Sequence, residues 1–517
     1  MEENELYKLY KEAIEYMNKM EYESALNVAE KIENLKKHTP NNYAICSGLY
    51  IDLGLYERSI DTIEHGVELL ESHLDQFVSN EKSAQATYYN LANGYSNIFK
   101  LKKIENRFYG IFEETELNIA LDYYFKALQA KQIDEHNPLQ ILVNIGNTLD
   151  QMGRSLEAIE YYNKVLNRNN KFGMALGNKG ITLKHYSRIV REKWPIYYSE
   201  SYFLLKKALK CDDVYNDARV KFENHIKEIE KNANINKLEE ISNNRENVEI
   251  ETDSEFEEFL IQFCLENNLY LNLCNLCQSC KKAIGDNIAI KKMIVETDDE
   301  GKPGIEDDPF LKVSSFLNEI KQNYVTARFL LIQSRYPKSN LDFVDKNVKI
   351  IDTLDYKVQN VYVQLLKFAF KNMYDILDKI AIFINEYLNL GKNQRYISFS
   401  NIWKENVEIN SKIKETKNYN LNALYQINKE LGDGRFKELR NIRNAVTHRF
   451  MDVNIFRGKK MDEKLLVEKT IEMSQLVKRA IIYLISFVDV EERKMEEKIE
   501  DPLVAMNVFE VPDDIKS

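Results

Sequence analysis

The chain has 517 residues, too many for a single hydrophobic core, and its 44% apolar and 30% charged residues exclude a disordered polymer. No run of about 18 uninterrupted apolar residues marks a membrane span, and the acidic, amphipathic start MEENELYKLYKEAIEYM lacks the order of a signal peptide. A net charge of −11 excludes a surface coated throughout for nucleic acid, though not a local basic site, and six cysteines in this length build no disulfide framework, which suits a reducing cytoplasm.

Only 8 prolines and 17 glycines interrupt long periodic runs of Leu, Ile, Lys, Glu, Asn and Tyr, so the fold class expected is all-α. Over residues 1–215 small residues recur twelve positions apart: Ala13 and Ala25, Ser47 and Ser59, Gly146 and Ala158. From Gly146 to Gly180 is 34 residues. Two antiparallel helices per repeat approach closely only where side chains are small, and bulky residues such as Tyr161 and Tyr162 then fill the space between repeats. Residues 91–128 read as one more copy with an insertion. By the 34-residue period about five copies are expected, and the array resembles tetratricopeptide (TPR) proteins. That resemblance implies a solenoid whose concave groove takes a protein or peptide; a spacer or dimerisation element is the alternative.

Beyond Asp213 the stretch YNDARVKFENHIKEIEKNANINKLEE reads as one charged helix, followed by an acidic linker near 236–254, so residues 216–255 are expected to connect two larger units. A middle segment at 256–345 contains Cys274, Cys277 and Cys280 at three-residue spacing, with Cys264 upstream. A closed zinc site needs four ligands, usually as two pairs, and neither a second pair nor a nearby His is present. The cysteines are therefore expected to be buried small apolar residues, with no metal and no cofactor. ETDDEGKPGIEDDP reads as an acidic surface loop.

From about Asp355 the chain turns strongly apolar, predicting over 30 residues of helix inside a bundle spanning 346–495, with Asp378 and Asn385 as its inward polar residues. A loop, a shorter helix around Leu421 to Leu431, the turn LGDGR, the stretch FKELRNIRNAVTHRF and a last long helix complete it, before a tail at 496–517. His448 is the one histidine after His225, and between Arg435 and Lys460 eight Lys or Arg stand against two acids. Arg443 and Asn444 precede His448 on a segment whose Leu439, Ile442 and Val446 supply the core face.

Imidazole titrates near neutral pH and can both take and give a proton, and a guanidinium grips phosphate with forked geometry. Metal-free RNA cleavage asks for both. Five residues correspond to about 140° around a helix, so Arg443 and His448 do not share a face automatically. The long Arg side chain, a helix irregularity or a second subunit has to unite them.

Arg443-Asn444-Ala445-Val446-Thr447-His448 matches the R-x4-H motif of the HEPN (higher eukaryotes and prokaryotes nucleotide-binding) superfamily. NVYVQLLKFAFKNMYDILDKIAIFINEYLNL resembles its first long helix, and LNALYQINKELGDGRFKELRNIRNAVTHRF the segment entering the active-site helix. FCLENNLYLN and YVTARFLL are similar to a branch in which the bundle follows a TPR region. The resemblance implies a homodimeric, metal-independent endoribonuclease with paired motifs across a composite cleft. It implies acid–base work for His448, phosphate binding for Arg443, orientation of His or substrate for Asn444, and RNA-backbone contacts for Arg440 and Arg449. Many toxin-type relatives carry Tyr two residues after the His; Phe450 stands there in this chain, which puts regulation through a modified Tyr in doubt. The expected function is a cytoplasmic toxin or anti-phage effector governed by the array, the alternative a non-catalytic scaffold binding RNA, nucleotide or protein.

Overall fold

The computed structural model describes residues 2–35, 40–79, 81–131, 136–187, 194–243, 251–272, 284–286, 288–290, 292–295, 309–337, 341–351, 354–454, 461–497 and 504–507. Contacts divide the chain into two units, Met1–Ser187 with Pro195–Leu238, and Arg188–Trp194 with Glu239–Ser517.

The first unit is a succession of helices: α1 (Glu2–Asn18), α2 (Tyr22–Glu33), α3 (Pro40–Glu57), α4 (Ile60–Ser72), α5 (Leu74–Val78), α6 (Glu81–Glu105), α7 (Glu116–Gln129), α8 (His136–Gln151), α9 (Ser155–Arg168), α10 (Gly173–Ser187), α11 (Trp194–Ala208) and α12 (Asn216–Asn232), followed by α13 (Ile235–Asn243). Neighbours pack as hairpins, α1 on α2, α3 on α4, α6 on α7 and α8 on α9. Ala13, Ala25 and Ala158 are wholly buried, as the small-residue spacing requires. Ser59 departs from that spacing. It caps α4, accepting the Thr62 N–H at 3.2 Å, and Gly66 takes the close approach, where a Cβ would lie 2.8 Å from the Ser47 carbonyl oxygen. A hydroxyl two bonds from the backbone serves a helix start better than a crossing. Tyr162 likewise packs inside its own hairpin, its ring so near Gly146 that a Cβ there would lie 2.5 Å away, while Tyr161 reaches Phe125 of the preceding hairpin at 6.2 Å.

The stretch beyond Asp213, expected as one helix, is two. Ala233 is extended (φ −140°, ψ 150°), ending α12 before Ile235 opens α13. Phe222, Ile226, Ile229 and Leu238 join Leu176 and Leu205 in a common core, so the packing of the first unit continues through Leu238.

The second unit contains α14 (Glu255–Glu266), β1 (Lys292–Val295), α15 (Pro309–Arg335), α16 (Asp342–Asp345), α17 (Val361–Tyr387), β2 (Lys404–Glu405), β3 (Glu408–Ile409), α18 (Ser411–Thr416), α19 (Tyr419–Gly432), α20 (Lys437–His448), α21 (Glu463–Glu496) and β4 (Val504–Asn507). Val313, Leu317, Ile320, Tyr324, Ala327 and Leu331 form a buried stripe on α15, at alternating steps of four and three. Val363, Leu366, Phe370, Met373, Leu377, Ile380 and Ile384 do the same on α17. Such 3–4 stripes pack at small crossing angles, and each buried Leu, Ile or Phe contributes about 1.5–3 kcal/mol. Ion pairs Lys312–Glu386 and Glu319–Lys379 set the direction: seven residues forward on α15 is seven back on α17, so the helices run antiparallel. Thus α15, upstream of the span 346–495, packs along the bundle's first long helix.

Helix α17 has 27 residues and opens at Val361, later than its apolar run, because the Asn360 side chain caps it by accepting the Val363 N–H at 2.9 Å. The sheets are minor: β1 pairs antiparallel with β4, drawing part of the tail back to the middle segment, and β2 pairs with β3. Cys274, Cys277, Cys280 and the ETDDEGKPGIEDDP loop lie outside the described residues.

Candidate active site

The turn LGDGR aims the helix that carries the motif. Gly434 passes so close to α19 that a Cβ would sit 2.7 Å from the Glu430 Cα, and Arg435 folds back onto the Glu430 carboxylate through Nε at 3.0 Å and Nη2 at 2.8 Å. Helix α20 then runs to His448, anchored by buried Leu439 and Ile442. It is continuous, so no irregularity unites Arg443 and His448; about 140° of rotation and ~7.5 Å of rise separate their Cα positions.

Arg443 is half-buried against α17. Its guanidinium lies 5.1 Å from the centroid of the Tyr374 ring, Nη2 is 3.7 Å from the Asp378 carboxylate, and Nη1 donates to Asn444 Oδ1 at 3.3 Å. The 3.7 Å contact is an ion pair too long for a hydrogen bond. Arg443 Nε and Thr447 Oγ1 are buried atoms without a hydrogen-bond partner among the described residues. Orphaned polar atoms of this kind are uncommon in folded proteins and collect where a ligand or water completes the set. Asp378 spends its other oxygen on the Phe399 N–H at 2.8 Å. Burial pushes its carboxyl above the usual range, while the Phe399 N–H and the Arg443 charge pull the other way. Burial also raises the Tyr374 phenol.

His448 is the last helical residue and is exposed. Arg440 is half-buried and Arg449 exposed. Asn444 is placed on Arg443 rather than on His448. Of the basic stretch, Arg435 and Lys437 are engaged with Glu430 and Asp433, and Arg457, Lys459 and Lys460 lie outside the described residues. Asn385 is buried and ties down the following loop, exchanging two hydrogen bonds with the Lys392 backbone at 3.0 and 3.1 Å.

Sequence reasoning placed Asp378 inward but missed its partner. Lys367, Lys371, Tyr374 and Asp378 stand three or four residues apart, a polar stripe along an otherwise apolar helix, and that periodicity was the available signal. Lys367 is the least expected member: its Nζ is drawn in to donate to the Met451 carbonyl at 2.8 Å, fixing the chain just beyond the motif.

The first unit holds a groove of its own, of about 420 Å³. Asn93 Oδ1 accepts from Tyr124 Oη at 2.7 Å and Asn144 Nδ2 at 3.2 Å; Asn147 Oδ1 accepts from Tyr162 Oη at 2.9 Å and Asn178 Nδ2 at 2.8 Å. One pattern is thus built twice, in successive hairpins. Lys100, Lys221, Asp150 and Asp217 line the same groove in balanced charge.

Among the described residues no group of three His, Cys, Asp or Glu side chains could hold a metal ion, and no helix is long and apolar enough to cross a membrane. No curated protein matches the chain. The family model described as LA2681-like HEPN matches residues 306–491, a span that takes in α15, α17, α19, α20 and nearly all of α21, and the tetratricopeptide-repeat model matches residues 139–172, the α8–α9 hairpin. The chain therefore joins a tetratricopeptide repeat in its N-terminal array to an LA2681-like HEPN domain in its C-terminal bundle.

Proposed function

We propose that this protein is a metal-independent endoribonuclease whose paired HEPN domains are controlled by the TPR array, and that it acts as a toxin or anti-phage effector. The observation that carries the reading is an exposed His448 on the terminal turn of α20, close in sequence to an Arg443 that is fixed at one edge and unsatisfied at Nε. HEPN domains commonly cleave RNA, which supports the same reading.

In this mechanism the 2′-hydroxyl oxygen attacks the adjacent phosphorus and the bond to the 5′-oxygen breaks. His448 takes the 2′ proton, and a proton passes from imidazolium to the leaving oxygen, leaving a 2′,3′-cyclic phosphate. Arg443, held by Asn444, carries the phosphate as negative charge builds. One chain's Arg443 and His448 diverge around α20, so the cleft is completed by the motif of a second chain. Arg440 and Arg449 contact the RNA backbone. The array groove, with its amide rows and balanced charge, takes a protein or peptide segment that reports the activating signal.

The test is cleavage of total and transfer RNA by the full-length protein in EDTA, comparing wild type with Arg443→Ala and His448→Ala. Cyclic-phosphate ends that vanish in both variants support the mechanism. RNA binding without cleavage, unchanged in either variant and in extract of phage-infected cells, assigns the protein as a non-catalytic scaffold.

A further inference from the structure

Two residues past His448, Phe450 is wholly exposed. A loose chain does not explain this. The Met451 carbonyl is held by Lys367 Nζ at 2.8 Å and the Val453 carbonyl by the Val358 N–H at 2.7 Å, so the segment just beyond Phe450 is tied at two points to α17 and the chain entering it. The same ties bring the 354–358 segment alongside, through a bridge between Lys357 and Asn454. There Leu354 and Tyr356, 84% and 59% exposed, adopt left-handed backbone at φ 55° and 59°. Bulky residues rarely occupy that region unless their surroundings impose it. Phe450, Tyr356, Leu354, Ile351, Val446 and Arg449 thus line one groove of about 1150 Å³ beside the motif.

We propose that this groove is a nucleobase subsite, in which an unpaired base of the RNA stacks on Phe450 while its phosphate meets Arg449. The inference rests on the ribonuclease reading and specifies its substrate as single-stranded. Aromatic faces accept any splayed base, and a base inside a duplex cannot reach one. Charge favours RNA over a protein partner here. Arg449 has no side-chain partner among the described residues, and burying it beneath a protein surface would strip its hydration, whereas a phosphate replaces it.

The experiment uses the full-length chain carrying His448→Ala, so that RNA stays intact. Its probes are a labelled single-stranded oligoribonucleotide and the same strand annealed into a duplex. Phe450→Ala is expected to weaken single-strand binding about tenfold, the scale of one lost stack, with no change in duplex binding or in the salt dependence. Phe450→Trp should restore affinity, with indole fluorescence quenched on binding. Arg449→Ala should lower the salt slope by about one. Equal affinity of Phe450→Ala and its parent overturns the inference, as does a change from dimer to monomer in sedimentation, which would make the groove a contact between copies. His448-dependent cleavage in EDTA that is indifferent to Phe450→Ala removes this inference alone; absence of RNA binding in every variant removes the ribonuclease reading with it.

Discussion

The two polar regions of this protein are built on opposite terms. In the array groove the amides of Asn93, Asn144, Asn147 and Asn178 are spent on one another, on Gln140 and on the tyrosines Tyr89, Tyr124 and Tyr162, and lysines are matched by aspartates. On α20 a half-buried guanidinium keeps an orphaned Nε and an imidazole stands in solvent, with the exposed guanidinium of Arg449 just past the helix end. A satisfied network rigidifies a surface, and an unsatisfied one stores binding capacity for something that arrives. The first arrangement suits a preformed recognition surface, the second a reaction centre.

The sharpest way to break this contrast is at His448. His448→Ala should reduce RNA cleavage by about 10²–10⁴-fold, the usual weight of a general acid–base residue, yet leave the melting temperature unmoved because the side chain is exposed. A variant that melts early would make His448 structural and erase the distinction. Tyr162→Ala should act in the reverse sense. It removes a ring buried on Gly146 together with the hydroxyl that Asn147 accepts, and should cost about 3–5 kcal/mol in denaturant unfolding of the array. Asp378→Asn probes the border between the two terms. The amide can still accept the Phe399 N–H, so the fold should hold, while Arg443 loses its ionic partner. Cleavage should fall by about tenfold, and the loss should disappear in an Arg443→Ala background, where the two residues can no longer interact. The smallest effect is expected at Glu319→Gln, on an exposed pair between α15 and α17, where thermal unfolding should shift by less than about 1 kcal/mol.

Much of the molecule was legible in the chain itself. Periodic apolar runs with few breakers force helices, and small residues at a regular interval force helical hairpins, so the array and the bundle follow from local rules. The motif was legible for the same reason: His448 is the one imidazole after His225, set among cations in an acidic chain.

What local rules left undecided was which side chains meet. The twelve-residue spacing could not tell that Ser59 caps a helix while Gly66 fills the crossing, because both are small and only their position against α3 separates them. The end of α12 at Ala233 depended on how Leu238 turns back onto the array core. Tyr374 and Asp378 were visible as a polar stripe, but that they flank Arg443 required α17 and α20 to be packed together. Composition and periodicity determined the helices, the repeat and the identity of the reactive side chains, since each of these is written in neighbouring residues. The environment of Arg443 and the presentation of Phe450 were decided by tertiary structure alone, because both rest on contacts between segments some 65 to 95 residues apart in the chain.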